Sequence, residues 1–233
     1  MPIGSSGPVG NSFIDMRIVI RVVLLASVLA SVAASAAEFS ADIVSRDASG
    51  AAIGTGGRLY AANGKVRIET TDAAAGFFLV DGTTATALFV RPQQRVFMEA
   101  RQSTRLTRIF LPLDPGSPCA QWQAAAKASG LPSAGGDWHC ERKEDSSING
   151  RKTIEYSVTS SANEAATQGW IAPDLGFPIK WRASDGTTFT LEHIRVETQP
   201  AELFAVPADY RKLDPQALIE RIKHSDVWAA PPQ

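Results

Sequence analysis

The sequence predicts an α+β fold: one curved, unclosed antiparallel β-sheet (a half-barrel), with a helical insertion and a C-terminal helix covering the concave face. Apolar and polar residues alternate along short segments such as Lys65–Glu69 and Lys152–Thr159. This alternation is typical of strands with one buried and one solvated face. Asx–Gly pairs such as Asn63-Gly64 and Asp185-Gly186 separate such segments, and these pairs favour tight hairpin turns. Helical patterns are few, which completes the prediction.

The first 37 residues are predicted to lie outside the folded domain. Met16-Arg17 is a basic start, an apolar run follows at Val22–Ala30, and mostly small residues follow up to Ala37. This order is typical of a cleaved secretory signal peptide, with either Met1 or Met16 as the initiator. The apolar run is shorter than the roughly 20 residues of a spanning helix. We therefore expect a periplasmic or secreted protein with no stable membrane span after cleavage.

The rest of the chain is predicted to form a single half-barrel domain over residues 38–226, followed by a disordered tail over 227–233. Over the whole sequence, basic and acidic residues nearly balance, with 23 Lys and Arg against 24 Asp and Glu. No block of like charge occurs that would attract a polyanion. No nucleic acid partner is therefore expected.

Eleven strands are predicted from alternation and turn residues. They fall at 39–46, 53–62, 65–71, 76–81, 84–91, 95–100, 137–144, 151–159, 166–172, 178–183 and 187–197. Two of them, around Gly76–Val80 and Ala87–Val90, are apolar on both faces. Because both faces of such strands must be buried, we expect either helices or a ligand on the second face of the sheet.

Helices are predicted in three places: residues 103–111, residues 117–130 and the stretch that begins at Asp214-Pro215. In the second helix Ser117 suits the N-cap and Pro118 the first helical position. Cys119, Trp122 and Ala126 are spaced so that they share one face. The second helix should therefore turn one side towards the sheet.

Cys119 and Cys140 are predicted to form a disulfide, because an isolated pair in an oxidising compartment is most simply a cystine. The alternative is a metal site that uses His139 beside Cys140. Two distant cysteines and one histidine lack the compact spacing of a zinc centre. We therefore predict no metal site and no cofactor.

No catalytic residue is predicted, and the chain is interpreted as a binding protein, not an enzyme. Gly54–Gly57 lacks the spacing and the strand-to-helix context of a phosphate loop. No histidine lies in a recognisable nucleophile context. A hydrolase whose site assembles from distant residues is kept as a second alternative.

Aromatic residues in the predicted strands and insertion favour a concave apolar cavity, with residues 103–130 as its cover. Ligand sites in soluble proteins are mostly apolar and concave. The alternative is that the same side chains form an ordinary core. The candidate cavity residues are Phe78, Phe89, Phe110, Trp122, Trp170 and Trp181.

The C-terminal part of the sequence resembles the LolA/LolB-like superfamily of periplasmic lipoprotein carriers. The matching text is Trp170–Lys180, then Asp185-Gly186, then Leu203-Phe204-x-Val206-Pro207-x-x-Tyr210. The resemblance implies an unclosed half-barrel with helices in its hollow, which binds acyl chains or lipoproteins or senses them as a regulator. The cysteine-bracketed helix over 119–140 departs from the carriers, which favours a different branch of the superfamily.

The leading functional hypothesis is therefore an exported soluble protein that holds a lipid-like or apolar ligand, or lipoprotein acyl chains, in the hollow. The alternative is a periplasmic protein-interaction or envelope-stress sensing module without a small ligand. In that case side chains of the protein itself would fill the hollow, and the partner would be another periplasmic protein.

Overall fold

The computed structural model describes residues 37–54, 56–70, 76–84, 86–100, 104–129, 136–161 and 163–214. The predicted signal peptide, the helix expected after Asp214 and the tail over 227–233 lie outside these residues. Those expectations, and the domain boundaries that depend on them, stay predictions.

Twelve strands of the described chain form one sheet, in the order β12-β6-β5-β4-β3-β2-β1-β11-β10-β9-β8-β7. Their bounds are β1 Phe39–Arg46, β2 Gly57–Ala62, β3 Lys65–Thr70, β4 Phe77–Asp81, β5 Thr86–Arg91, β6 Val96–Glu99, β7 Trp138–Ile148, β8 Arg151–Ser160, β9 Asn163–Ala172, β10 Phe177–Arg182, β11 Thr188–Val196 and β12 Arg211–Lys212. We call β1–β6 with β12 the first half of the sheet, and β7–β11 the second half. The halves meet where β1 pairs with β11, with Ile43 opposite Leu191.

This sheet confirms the predicted curved and unclosed fold, and several details differ from the expectation. Strand β7 extends to Ile148 instead of residue 144, and β9 begins at Asn163 instead of residue 166. The short β12 runs parallel to β6, whereas every other neighbouring pair is antiparallel. Strand β2 begins at Gly57 instead of residue 53, because Gly54 and Gly56 have φ angles of 70° and 78°. An extended strand does not contain such left-handed residues.

The predicted hairpin turns are of two kinds. Asn63-Gly64 and Asn149-Gly150 have positive φ at both positions, as a two-residue type I′ turn requires. Asp81 and Asp185 act instead through their carboxylates, which accept hydrogen bonds of 2.9 Å from backbone N–H groups two residues further on. Both kinds of turn depend only on residues that are adjacent or nearly adjacent in the sequence, which explains why the sequence indicates them so clearly.

Two helices, α1 (Arg105–Ile109) and α2 (Pro118–Ala128), connect β6 to β7. They pack on the concave face, since Ile109 and Trp122 belong to the same buried cluster as the inward side chains of the strands. Thr104 caps α1 by accepting from the N–H of Thr107 at 3.2 Å. Ser117, the predicted cap of α2, makes no such side-chain bond. The helical insertion predicted to cover the concave face is thus present.

The opposite, convex face of the first half is covered by residues 200–212, which we call the strap. Phe77, Leu79 and Val90 form a second buried cluster there, and Val206 and Tyr210 of the strap pack against it. The strap ends in β12, which pairs with the edge strand β6. The second cover that the two-faced apolar strands require is therefore the chain itself.

Candidate ligand-binding site

A cavity of about 330 Å³ lies between the two helices and the second half of the sheet. Its apolar wall includes three indole rings, Trp122 from α2, Trp138 from β7 and Trp181 from β10. Two arginines of α1, Arg105 and Arg108, also line it. This volume is close to the lower end of the range of about 300–1,000 Å³ that small-molecule sites occupy.

Within this wall, Trp122 and Trp181 contact each other in an edge-to-face arrangement, with 5.0 Å between their ring centres. The Nε1 of Trp122 donates a hydrogen bond of 3.4 Å to the carbonyl oxygen of Ile109, which ties α2 to α1. Gly169 lies opposite Trp181 in the neighbouring strand. A Cβ at Gly169 would lie 2.7 Å from Cη2 of Trp122. Glycine is therefore what allows the Trp122 ring to rest on the sheet.

The disulfide between Cys119 and Cys140 joins the start of α2 to β7, with Cα atoms 5.7 Å apart, and confirms the predicted pairing. Trp138 precedes Cys140 by two residues, so both side chains leave β7 on the same face. The cystine thus links the two elements that carry Trp122 and Trp138. The buried Nε1 of Trp138 has no hydrogen-bond partner among the described residues.

Arg105 and Arg108, both on α1, are the charged residues among the described lining of the cavity. Burial lowers the pKa of the Arg108 guanidinium, and the like charge of Arg105 lowers it further. Arg105 is held by Asp185, with 3.3 Å between Nη1 and Oδ2, and its guanidinium lies 5.9 Å from the centre of the Phe189 ring. Within the described part of the chain, no acidic side chain lines the cavity.

Two of the six predicted cavity aromatics, Trp122 and Trp181, line this cavity. Phe110 is fully buried and stacks on Phe177, with ring centres 6.4 Å apart, so it belongs to the core. Phe78 and Phe89 contact each other at 4.8 Å between ring centres in the first half of the sheet. They pack against the main core and lie outside the lining.

The prediction for Trp170 is corrected, because this ring lies on the convex face. Trp170 is opposite Lys180, whose Nζ sits 4.5 Å from the ring centre. A register shift between Pro178 and Lys180 produces this pairing. Without this register shift, Ile179 would pair with Trp170. The Trp170 ring would then lie on the same face of the sheet as Trp181. A bulge of one residue exchanges the two faces of a strand.

The lining residues that were not singled out from the sequence include Arg105, Arg108 and Trp138. The sequence spacing of each of these three residues nevertheless indicates its position. The two arginines are three positions apart on a short helix, which places them on one side of it. Trp138 precedes Cys140 by two residues in an alternating strand, so a cystine facing α2 implies that Trp138 faces α2 as well.

A histidine and a carboxylate come together elsewhere, where Nδ1 of His193 lies 2.9 Å from Oδ2 of Asp42. Their side chains are 71% and 47% exposed, so the pair lacks the buried setting that the hydrolase alternative requires. In the residues that the structure covers, no group of three or more metal-ligating side chains occurs. Nor does this part of the chain contain a helix long and apolar enough to cross a membrane.

No protein-family model and no curated protein matches this chain. Similar solved structures include PNGF-II, at 9% identity and TM-score 0.48, over 81% of this chain and 33% of PNGF-II. They include MucB, at 15% identity and TM-score 0.41, over 75% of this chain and 58% of MucB. A LolA superfamily protein, NE2245 from Nitrosomonas europaea, has 12% identity and TM-score 0.32, over 73% of this chain and 90% of NE2245.

LolA superfamily proteins are thus among the solved structures that this chain resembles, in agreement with the resemblance seen in the sequence. The chain spans only about a third of PNGF-II and 58% of MucB. At these identities and TM-scores the likeness carries no information about activity or ligand.

Proposed function

We propose that this protein is an exported, periplasmic binding protein without catalytic activity, which holds an apolar chain or ring in the cavity between α2 and the second half of the sheet. The observation that carries the proposal is the wall formed by Trp122, Trp138 and Trp181. The Cys119–Cys140 disulfide supports the location, because such bonds persist in oxidising compartments.

The size of the cavity favours a small apolar group, such as one alkyl chain, over a diacyl lipid. Burial of apolar surface contributes about 25 cal/mol per Å², so an alkyl chain that buries roughly 200 Å² gains about 5 kcal/mol. The cost of association reduces this gain. The indole rings lose little conformational freedom on binding, because Trp122 and Trp181 already pack against each other.

The test is a titration with N-phenyl-1-naphthylamine, a neutral apolar probe whose fluorescence rises when it leaves water. Thr167→Phe places a ring inside the cavity, since Thr167 lines it. Thr190→Phe is the matched control, because Thr190 lies opposite Lys180 on the other face. We expect probe binding by the wild type and by Thr190→Phe, and its loss in Thr167→Phe.

Circular dichroism of both variants identifies any that fail to fold. The proposal is overturned if the wild type does not bind the probe, or if folded Thr167→Phe binds it as well as the control does. Native mass spectrometry of protein purified from the periplasm provides a second measurement, since a bound amphiphile adds its mass to the folded protein.

The second candidate is a protein-interaction module, and the filling of most of the hollow favours it. Phe39, Phe110 and Phe177 are at most 1% exposed and occupy the space between the halves. Such a module would not use the edge strand β7, whose residues 141–145 are all charged. Charged edges oppose strand addition. This candidate gains support if the wild type binds no apolar probe.

A further inference from the structure

We propose that Gly169 on β9 sets the size of the largest ligand that the cavity accepts. The bare backbone at this position lets the ring of Trp122 lie close to the sheet, and a larger residue would push that ring into the cavity. This inference rests on the proposed function, and it adds a residue that determines ligand size from behind the cavity wall.

Gly169 forms a notch in a row of three residues that lie side by side on β8, β9 and β10. It pairs with Tyr156 on one side and with Trp181 on the other. Residues paired across neighbouring strands share a face of the sheet, and both aromatic residues belong to the main buried cluster. The missing side chain at Gly169 therefore leaves a gap on the concave face between two large side chains.

The indole ring of Trp122 occupies this notch without room to spare. A Cβ on Gly169 would lie 2.7 Å from Cη2 and 3.1 Å from Cζ2 of Trp122. It would also lie 3.2 Å from Cε3 of Trp181. Non-bonded carbon atoms are normally about 3.5–4.0 Å apart. Alanine at this position therefore requires the indole rings above it to move, and Trp122 has to move the most.

The cavity is the direction in which the Trp122 ring can move. The disulfide ties α2 to β7, and Nε1 of Trp122 donates to the carbonyl oxygen of Ile109 at 3.4 Å. Oη of Tyr156 donates to the carbonyl oxygen of Pro115 at 2.6 Å, which holds the chain just before α2 on the sheet. Close-packed interiors transmit strain, so the displaced ring enters the space of about 330 Å³ beside it.

The experiment is displacement of bound N-phenyl-1-naphthylamine by straight-chain alcohols from 1-hexanol to 1-dodecanol, lengthened by one carbon at a time. Each buried methylene strengthens binding by about fourfold, and this gain stops when the cavity is full. In Gly169→Ala the gain should stop about one carbon earlier than in the wild type, because the added methyl takes up about one methylene of space. The alcohol that no longer fits should bind about fourfold more weakly than to the wild type, whereas shorter alcohols keep their affinity.

Two further variants test whether the effect passes through Trp122. Trp122→Phe removes the ring atoms nearest to Gly169, so the gain should continue to longer alcohols than in the wild type. In this background Gly169→Ala should shift the limit less, because the atoms that it displaces are gone. Gly76→Ala is the matched control, since its Cβ would lie 2.6 Å from Cζ of Phe89, a comparable clash in the first half of the sheet. The limit should not change in this control.

These outcomes separate the two proposals. If the probe binds and folded Gly169→Ala accepts alcohols as long as the wild type does, or longer, the role of Gly169 is overturned and the apolar site is kept. Equal weakening of every alcohol also overturns it, because general loosening of the wall has no dependence on ligand size. Failure of the probe to bind wild-type protein overturns the proposed function, and the role of Gly169 with it. If Gly169→Ala does not fold, Trp122→Phe decides, since an unchanged limit there contradicts the proposal.

Discussion

The two halves of the sheet use the same meander of antiparallel strands and bury it differently. In the first half, side chains on both faces are covered, by the helices on one side and by the strap on the other. In the second half, the concave face carries the cavity, and the convex face carries Lys180 and Glu155 on either side of Trp170. The same architecture thus provides a closed scaffold and an open site.

The difference teaches that the pattern of apolar residues decides where a sheet can hold a ligand. The runs Gly76–Val80 and Ala87–Val90 are apolar at successive positions, so both faces are occupied by the protein itself. Arg151–Ser160 alternates, so only one face needs a cover. On the concave face of the second half, the short helix α2 leaves space between the indole rings instead of filling it.

The largest expected effect is on the buried aromatic cluster of Phe39, Phe110 and Phe177, which we call the plug. Phe110→Ala should lower the free energy of unfolding by about 3–5 kcal/mol, since Phe110 is fully buried and stacked on Phe177. Phe89→Ala, in the first half, should lower it by roughly half as much, because Phe89 is only partly buried. Urea unfolding followed by fluorescence measures both. Equal losses would contradict the central role of the plug.

Removal of the disulfide should affect the second half of the sheet. Replacing Cys119 and Cys140 together by serine should lower the free energy of unfolding by about 3 kcal/mol, because the bond closes a loop of 21 residues. Weaker binding of N-phenyl-1-naphthylamine should accompany the loss, since α2 and β7 carry two walls of the cavity. Wild-type protein reduced with dithiothreitol is the comparison. Unchanged probe affinity in the folded double variant would show that the cavity does not depend on this link.

Loosening the strap should affect the first half of the sheet. Arg67 donates to the carbonyl oxygen of Leu203 at 3.2 Å and pairs with Glu69 at 2.7 Å. Arg67→Met keeps a long side chain over Phe77 and removes these bonds, at an expected cost of about 2 kcal/mol. Hydrogen exchange at the N–H of Leu213 should then accelerate. Arg58→Met, on an exposed position of β2, is the control and should leave that exchange unchanged.

The smallest expected effect is the pH dependence of the hairpin turns. Hydrogen bonds from the Thr83 hydroxyl and from the Thr187 N–H lower the pKa of Asp81 and of Asp185 below the ordinary value of 3.8. A carboxyl with a lowered folded-state pKa stabilises the fold above pH 3.8, and this contribution is lost as the pH falls through the lower value. The free energy of unfolding should therefore decrease as the pH is lowered from 4. Asp81→Asn or Asp185→Asn should make that decrease less steep. A slope unchanged in both variants would contradict this account.

Local patterns in the sequence were sufficient for the strands and turns. Phe39–Arg46 and Lys65–Thr70 agree with the prediction within one residue at each end, because alternation and Asx–Gly pairs act over a few residues. The pairing of β12 with β6 was not foreseen, since two residues in a strand leave no periodic signal.

The candidate site was harder to predict than the fold. Trp170 and Trp181 belong to adjacent strands, and their relative face depends on one bulge at Pro178–Lys180. Nothing in the apolar pattern reveals whether that bulge exists. The disulfide, by contrast, was predictable because two cysteines allow only one pairing.

The junction between β1 and β11 has a consequence for the order in which the protein folds. Asp42 and His193 meet across it although 151 residues separate them. Contacts between such distant residues form late, because the intervening chain must first be brought together. Each meander can assemble from neighbouring strands, but the centre of the sheet cannot form until β11 is available. We expect slow folding, with the final step being the docking of two partly formed sheets along a single seam.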